Sequence, residues 1–174
     1  GNYKFFSQDM EDANNIKLDL EIKLRKALEE ERFELFYQPQ INIEKHIKGE
    51  FAIIGCEALI RWRKEDGNLI YPDVFIPIAE ETRMIIPIGK WVIEEACRTA
   101  SKWYKEGLPI RVSVNVSSIQ FEDPNFLDYL NNALEISDLP PQLLHLELTE
   151  SMLLGNIENT VSLLNSIKDR GILF

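Results

Sequence analysis

From residue 110 onward the chain repeats one pattern: a short β-branched run, a polar break, an amphipathic stretch, then the next run. Residues 110–116 (IRVSVNV) alternate with period two. Asp123-Pro124 then offers an N-cap with proline at the first helical position, and Phe126, Leu127, Leu130 and Leu134 recur at helical spacing. Pro140-Pro141 breaks that helix, and residues 143–148 (LLHLEL) read as the next strand. Val161, Leu164 and Ile167 mark a helix from about Asn159 to Arg170 that stops at Gly171, and Ile172-Leu173-Phe174 opens another strand. Strands separated by helices of this length pair in parallel through right-handed crossovers. The pattern therefore selects an α/β fold with a parallel sheet.

The first half begins differently. Ile16, Leu20, Leu24 and Leu28 recur at i+4 from about Asp12, with Lys and Glu on the opposite face, predicting a helix to about Glu31. Residues 33–43 (FELFYQPQINI) alternate and are rich in aromatics, as in a strand, with Pro39 tolerated near an end or an edge. His46 to Gly49 reads as a turn, and the run from Phe51 to Trp62 as the returning strand. These two strands make a hairpin, so the first connection is expected to be antiparallel. Asp66-Gly67-Asn68 is a turn, and Pro72-Asp73 opens a short helix over Phe75, Ile78 and Ala79. A longer helix covers about Pro87 to Glu106, with Trp91, Val92, Ala96, Ala100 and Trp103 on its apolar face and Gly107 as its stop.

Length and charge narrow the function. At 174 residues there is room for one ordinary domain. A net charge of −10, from 19 basic and 29 acidic residues, argues against binding a nucleic-acid polymer or an anionic membrane surface. It is compatible with a small anionic ligand where metal ions neutralise the site locally. No apolar run reaches the ~18 residues that a membrane span needs, and Gly1-Asn2-Tyr3-Lys4 is no signal peptide. Cys56 and Cys97 read as buried, reduced thiols of a cytoplasmic protein. His46 and His145 are too scattered for a zinc site.

Glu57 and Arg61 stand four residues apart at the end of the run 51–62. They are either an isolated structural ion pair or part of a catalytic mouth, and the octapeptide leaves both open. Asn115 and Glu147 extend the second possibility, since each ends a predicted strand with an oxygen-bearing side chain. In a (β/α) barrel the C-terminal strand ends converge on one face, where such enzymes place their chemistry. Two carboxylates and an amide oxygen are hard ligands suited to Mg²⁺, Mn²⁺ or Ca²⁺. Period-two alternation puts His145 on the face of Glu147 one layer deeper, as an interior filler or a partner to a ligand. The planar fork of Arg61 suits phosphate oxygens. Gln38 is a neutral donor and acceptor near the end of the first strand, or simply a turn residue. A divalent metal, an arginine and polar amides together suggest phosphoryl chemistry.

These residues resemble the EAL domain family of bacterial cyclic-di-GMP phosphodiesterases. The matching motifs are ordered along nearly the whole chain. They are Tyr37-Gln38-Pro39, Glu57-Ala58-Leu59 with Arg61-Trp62, Phe75-Ile76-Pro77 with Ala79-Glu80-Glu81, and Gly89-Lys90-Trp91-Val92. Further on come Val114-Asn115-Val116-Ser117 with Gln120-Phe121, and Glu147-Leu148-Thr149-Glu150-Ser151. The resemblance implies an incomplete TIM-like (β/α) barrel of about five strands, the first antiparallel. It implies hydrolysis of cyclic-di-GMP to pGpG with Mg²⁺ or Mn²⁺. Glu57, Asn115 and Glu147 would be metal ligands, Arg61 would bind phosphate, and Gln38 and Leu59 would line the ligand site. Glu150 would anchor a loop that supports metal binding and dimerisation.

The resemblance also sets expectations about organisation. Residues 1–10 are similar to the end of a GGDEF domain, 11–32 read as a linker helix, and 33–174 as the N-terminal part of an EAL domain. The parent is then a tandem GGDEF–EAL protein, cytoplasmic or tethered to a membrane through other regions. The family's Asp-Asp pair and catalytic Lys would follow Phe174, because a full barrel takes about 250 residues. The 174-residue chain alone is expected to be inactive, with weak or absent metal and open sheet edges that invite homodimers. The alternatives are a degenerate EAL module that acts as a cyclic-di-GMP receptor or regulatory domain, and an unrelated metal-dependent barrel hydrolase.

Overall fold

The structure is a computed structural model that describes residues 8–148 and 157–174, with side chains described for 18–148 and 160–174. Helix α1 (Gln8–Glu29) leads into strand β1 (Phe33–Ile41), short helix α2 (Ile43–Ile47) and the long strand β2 (Ile53–Arg63). Then come β3 (Leu69–Ile70), α3 (Pro72–Glu81), α4 (Ile85–Lys105), β4 (Arg111–Asn115), α5 (Ser118–Phe121) and α6 (Phe126–Ser137). A 3₁₀ turn (Pro141–Leu143), β5 (Leu144–Glu147) and α7 (Ile157–Asp169) complete the order.

The main path of the sheet is β1-β2-β4-β5, with β3 paired to β2. β2–β4 and β4–β5 are parallel, as the intervening helices require. β1 runs antiparallel to β2. The Arg63 amide donates to the Arg32 carbonyl at 2.9 Å while the Asn42 amide donates to the Ala52 carbonyl at 2.8 Å, so the two strands meet at opposite ends. Beside β5, Leu173 bridges His145 in parallel, and the Leu146 amide donates to the Leu173 carbonyl at 2.8 Å. The next strand therefore begins where Ile172-Leu173-Phe174 predicts it. This is the expected α/β architecture, an open portion of a TIM-like barrel with its first strand antiparallel.

Several boundaries differ from the sequence reading, each for a local reason. α6 starts at Phe126, because the Asp123 carboxylate accepts from the Asn125 amide at 2.8 Å in a turn ahead of the helix instead of capping it. Its end comes at Ser137, where Asp138 turns left-handed (φ 57°), before Pro140 is reached. Of the turn expected at His46–Gly49, Lys48-Gly49 is the turn, while His46 and Ile47 end the short helix α2, capped by the Asn42 side chain accepting from the Lys45 amide at 3.1 Å. β2 continues to Arg63, past the point where Glu57 was expected to mark a strand end.

The chain divides into two compact units, Gly1–Glu34 with Arg61–Met84, and Leu35–Ile60 with Ile85–Phe174. In the larger unit the even residues of β4 and β5 (Val112, Val114, Leu144, Leu146) are buried, with Ile88, Ile93, Ala96 and Ala100 of α4 in the same core. α4 packs on α6. There the buried Ser101 hydroxyl donates to the Ser137 carbonyl at 2.6 Å. Cys56 and Cys97 are both buried; burial pushes their thiols up to about 11 and about 12, so neither is reactive near neutral pH.

The smaller unit is built on an aromatic triangle. Phe33, Trp62 and Phe75 pack with ring centroids 5.8–6.2 Å apart, at tilted or edge-on angles. Leu24 and Ala27 of α1 and Ala79 of α3 are buried in the same unit. Phe75 is fully buried, so Phe75→Ala should cost about 3–5 kcal/mol. Urea unfolding should show a lower midpoint with an unchanged m-value.

Candidate functional site

Registered alternation builds the site in the larger unit. Gly55 pairs with Arg111, Glu57 with Ser113, Ser113 with His145, and Asn115 with Glu147. All of these share one face of the sheet, because side chains on each strand alternate and the strands are in register. On β2 the opposite face, Cys56, Ala58 and Ile60, is buried. The site face is open enough for Glu57, Leu59 and Glu147 to be half-buried and Asn115 exposed.

The metal-ligand candidates do not sit at one level. Glu57 lies in the layer of Ser113 and His145, while Asn115 and Glu147 form the layer above, neighbours on strands ~4.8 Å apart. One hydrogen bond closes the step. Asn115 Nδ2 donates to Glu57 Oε1 at 2.6 Å. The reverse amide orientation would set two oxygens against each other, so the contact fixes which end of the amide faces Glu57. Asn115 Oδ1 is the other end of that amide, on the residue paired with Glu147. Among the described residues no three His, Cys, Asp or Glu groups converge as a metal cluster. The donors here are two carboxylates and an amide oxygen, a set that suits a hard divalent cation.

His145 is held from one side. The hydroxyl of the fully buried Ser113 lies 3.0 Å from His145 Nδ1. Burial, and then the Arg111 guanidinium, hold the imidazole below its usual value, against the opposing pull of Glu147. The ring is therefore a neutral group in the layer of Glu57, one layer below Glu147. Ser113 carried no role in the sequence reading, although its place two residues before Asn115 in an alternating strand puts it on the site face.

The loop after Asn115 is fixed by a device that the motif residues foreshadow. Ser117 and Gln120 form a capping box at α5: the Ser117 hydroxyl accepts from the Gln120 amide at 3.3 Å, and the Gln120 carboxamide accepts from the Ser117 amide at 3.2 Å. Gln120 is buried against Gly89 of α4, where a Cβ would come within 1.7 Å of its Nε2. Gly89 is thus the socket in which the loop is seated.

The remaining candidates are placed as follows. Gln40 packs across Gly55, so Gln38, two residues earlier, shares the site face and is exposed. Tyr37 faces the other way, its ring edge-on to Trp103 at 5.0 Å. Arg61 belongs to the smaller unit, with its guanidinium 5.1 Å from the centre of the Tyr71 ring. Glu150 lies outside the described residues. A cleft of about 640 Å³ in the smaller unit, floored by Leu20, Ala27, Trp62 and Ile70, contains none of the candidates. Its rim charges pair with each other, Lys26 and Arg32 with Glu30 and Glu65.

A family model described as the EAL domain matches residues 21–174. The chain belongs to the EAL domain family. It is 40% identical over 170 residues to the signaling protein YkoW of Bacillus subtilis (strain 168), covering 98% of this chain and 21% of that protein. It is 35% identical over 171 residues to the bifunctional diguanylate cyclase/cyclic di-GMP phosphodiesterase MucR of Pseudomonas aeruginosa, covering 98% of this chain and 24% of MucR. The solved c-di-GMP complex of the PaMucR phosphodiesterase superposes with a TM-score of 0.80 at 35% identity, over 88% of this chain and 61% of that one. The chain thus spans about a fifth to a quarter of the curated relatives' length. Within this EAL domain the Glu57-Ala58-Leu59 motif lies inside β2, not at its end.

Two outcomes test this account of the EAL domain. Gly89→Ala should eject Gln120 from its socket, and hydrogen exchange over 116–121 should accelerate by about tenfold or more while the α4 core stays protected. Burial raises the Tyr37 phenol to about 12, with the Thr99 hydroxyl opposing that rise. A raised acid pKa in the folded state gives stability that is full below the unfolded value of about 10 and is lost as pH climbs through the folded value. Chemical denaturation across pH 9–12 should show that decline, and Tyr37→Phe should remove its share.

Proposed function

We propose that the protein containing this EAL domain hydrolyses cyclic-di-GMP to pGpG with Mg²⁺ or Mn²⁺. The observation that carries the reading is the Asn115–Glu57 hydrogen bond beside Glu147, which gathers three hard oxygen donors on one face of the sheet. Curated relatives named as cyclic di-GMP phosphodiesterases support the substrate, among them PdeR of Escherichia coli (strain K12), 33% identical over 171 residues. Glu57, Asn115 and Glu147 would hold the metal through Oε and Oδ1 atoms. When bound, the ion supplies Lewis-acid stabilisation of charge developing on phosphoryl oxygens.

The chain's own residues do the rest. The Asn115 amide, tied to Glu57, presents Oδ1 in a set orientation. His145, kept neutral, adds no cationic charge that would compete with a metal for the two carboxylates. Arg61 grips a phosphate through its paired N–H groups, and Gln38 and Leu59 line the ligand site. Glu150, outside the described residues, takes the family's loop-anchoring role in support of metal binding and a homodimer. Residues 1–10 belong to a preceding GGDEF-type domain, 11–32 to a linker helix and 33–174 to the EAL domain. The protein acts in the cytoplasm, with any membrane tether supplied by other regions; among the described residues no helix is long and apolar enough to cross a membrane.

The test is pGpG release by the whole protein, measured by chromatography. Activity should vanish with EDTA and return with Mg²⁺ or Mn²⁺, and Glu57→Gln or Glu147→Gln should lower kcat by about a hundredfold or more. Tight binding of cyclic-di-GMP with no turnover by the parent protein would replace this reading with that of a receptor. The 174-residue chain assayed alone is expected to release no pGpG, because its described residues gather only two carboxylates and one amide at the site.

A further inference from the structure

We propose that Gln120 is a positioning residue for metal binding: it fixes the backbone just beyond Asn115, and with it the direction from which the Asn115 amide meets Glu57. The inference rests on the reading of Asn115 and Glu57 as metal ligands, and adds a residue outside that set. All of its geometry lies within the larger unit.

Asn115 is the last residue of β4, and its side chain is exposed. Its amide therefore depends on the 2.6 Å contact with Glu57 and on the backbone that carries it. One more rung follows, the Val116 amide donating to the Glu147 carbonyl at 3.1 Å. There the chain leaves the sheet. Ser117 is extended (φ −83°, ψ 157°) and caps α5, a helix of four residues. A helix that short is marginal by itself. The capping box holds it: the Ser117 amide donates to the Gln120 carboxamide oxygen at 3.2 Å, and the Gln120 amide donates to the Ser117 hydroxyl at 3.3 Å. The amide that Gln120 holds is two residues past Asn115.

Gln120 differs from an ordinary capping residue in where its side chain goes. It is 5% exposed and lies against Gly89 inside α4, where a Cβ would stand 1.7 Å from Nε2 and 2.4 Å from Cδ. The arrangement is costly in two ways. A glycine within a helix weakens it, and a carboxamide taken out of water needs its hydrogen bonds. A solvent-exposed Gln or Glu would close the same box with neither cost. What burial adds is a rigid reference. Ile88, Val92 and Ile93 seat α4 in the core, so a carboxamide lodged on Gly89 ties the Ser117 amide to that core and not merely to α5. Val116 and Phe121, at the two ends of the segment, are buried as well. The backbone from Asn115 to Gln120 is thus fixed by the sheet at one end and by α4 at the other.

The experiment measures Mn²⁺ binding to the whole protein without substrate, from the electron paramagnetic resonance signal of the free ion. Gln120→Met keeps the bulk over Gly89 and removes the acceptor, and should raise the Mn²⁺ Kd about three- to tenfold. Gly89→Ala displaces the same carboxamide from the α4 side and should raise the Kd by a similar factor. In the Asn115→Ala background, Gln120→Met should change the Kd by less than about twofold, because its effect passes through Asn115. The number of ions bound per chain should stay at the parent value in both single variants. In kinetics on cyclic-di-GMP, the Mn²⁺ concentration for half-maximal rate should rise in step with Kd, with kcat at saturating Mn²⁺ held. Fewer ions bound at an unchanged Kd would mark a merely structural role and overturn the proposal. So would a parent-like Kd in both variants, or an equal loss with and without Asn115, and each leaves the hydrolase reading intact. A parent protein that binds no Mn²⁺, or binds it equally well as Asn115→Ala, overturns the ligand reading together with the proposal.

Discussion

The parallel register of β2, β4 and β5 is the constraint on which the site depends. Backbone pairing sets Glu57 beside Ser113 and Asn115 beside Glu147. A slip of one residue in either ladder would turn a site residue towards the packed helices and bring an aliphatic side chain out in its place. The buried Val112, Val114, Leu144 and Leu146 resist that slip, because each would lose its place against the helical layer. Core packing on one face therefore fixes which side chains stand on the other.

The hydrogen bond from Asn115 to Glu57 then ties two of the candidate residues together. Parallel strands by themselves leave the two side chains a layer apart, and the 2.6 Å contact joins those layers. The amide needs a steady backbone, and the segment that follows supplies it. The Ser117–Gln120 capping box closes the loop within a few residues of Asn115, and Gly89 on α4 leaves space for the Gln120 carboxamide. A helix glycine normally weakens its helix; here the missing Cβ is what lets a buried polar side chain reach the loop.

Much of this was legible in the chain. The spacing of Ile110–Val116, Leu143–Leu148 and the helices between them implied parallel strands, and the hairpin pattern implied an antiparallel first strand. The ordered motifs around Glu57, Asn115 and Glu147 pointed to the EAL domain family, to which the chain belongs. Other features were not legible. β3 is two residues long, too short for any periodicity, yet it brings Tyr71 opposite Arg61. The capping role expected of Asp123 was lost to a local turn, because a side chain that can serve either is decided by the backbone around it. Ser113 looked like an ordinary strand serine until its partner across the ladder proved to be His145.

The sequence alone determined which residue types stand on each strand, the parity that puts His145 and Glu147 on one face of theirs, and the family that such motifs mark. These depend on local spacing, which needs no partner strand. Only the tertiary structure decided the levels: that Glu57 lies beside His145 and Ser113, one layer below Asn115 and Glu147. Register between strands is set by long-range packing and by where each ladder begins, and neither is written in the spacing of a single strand.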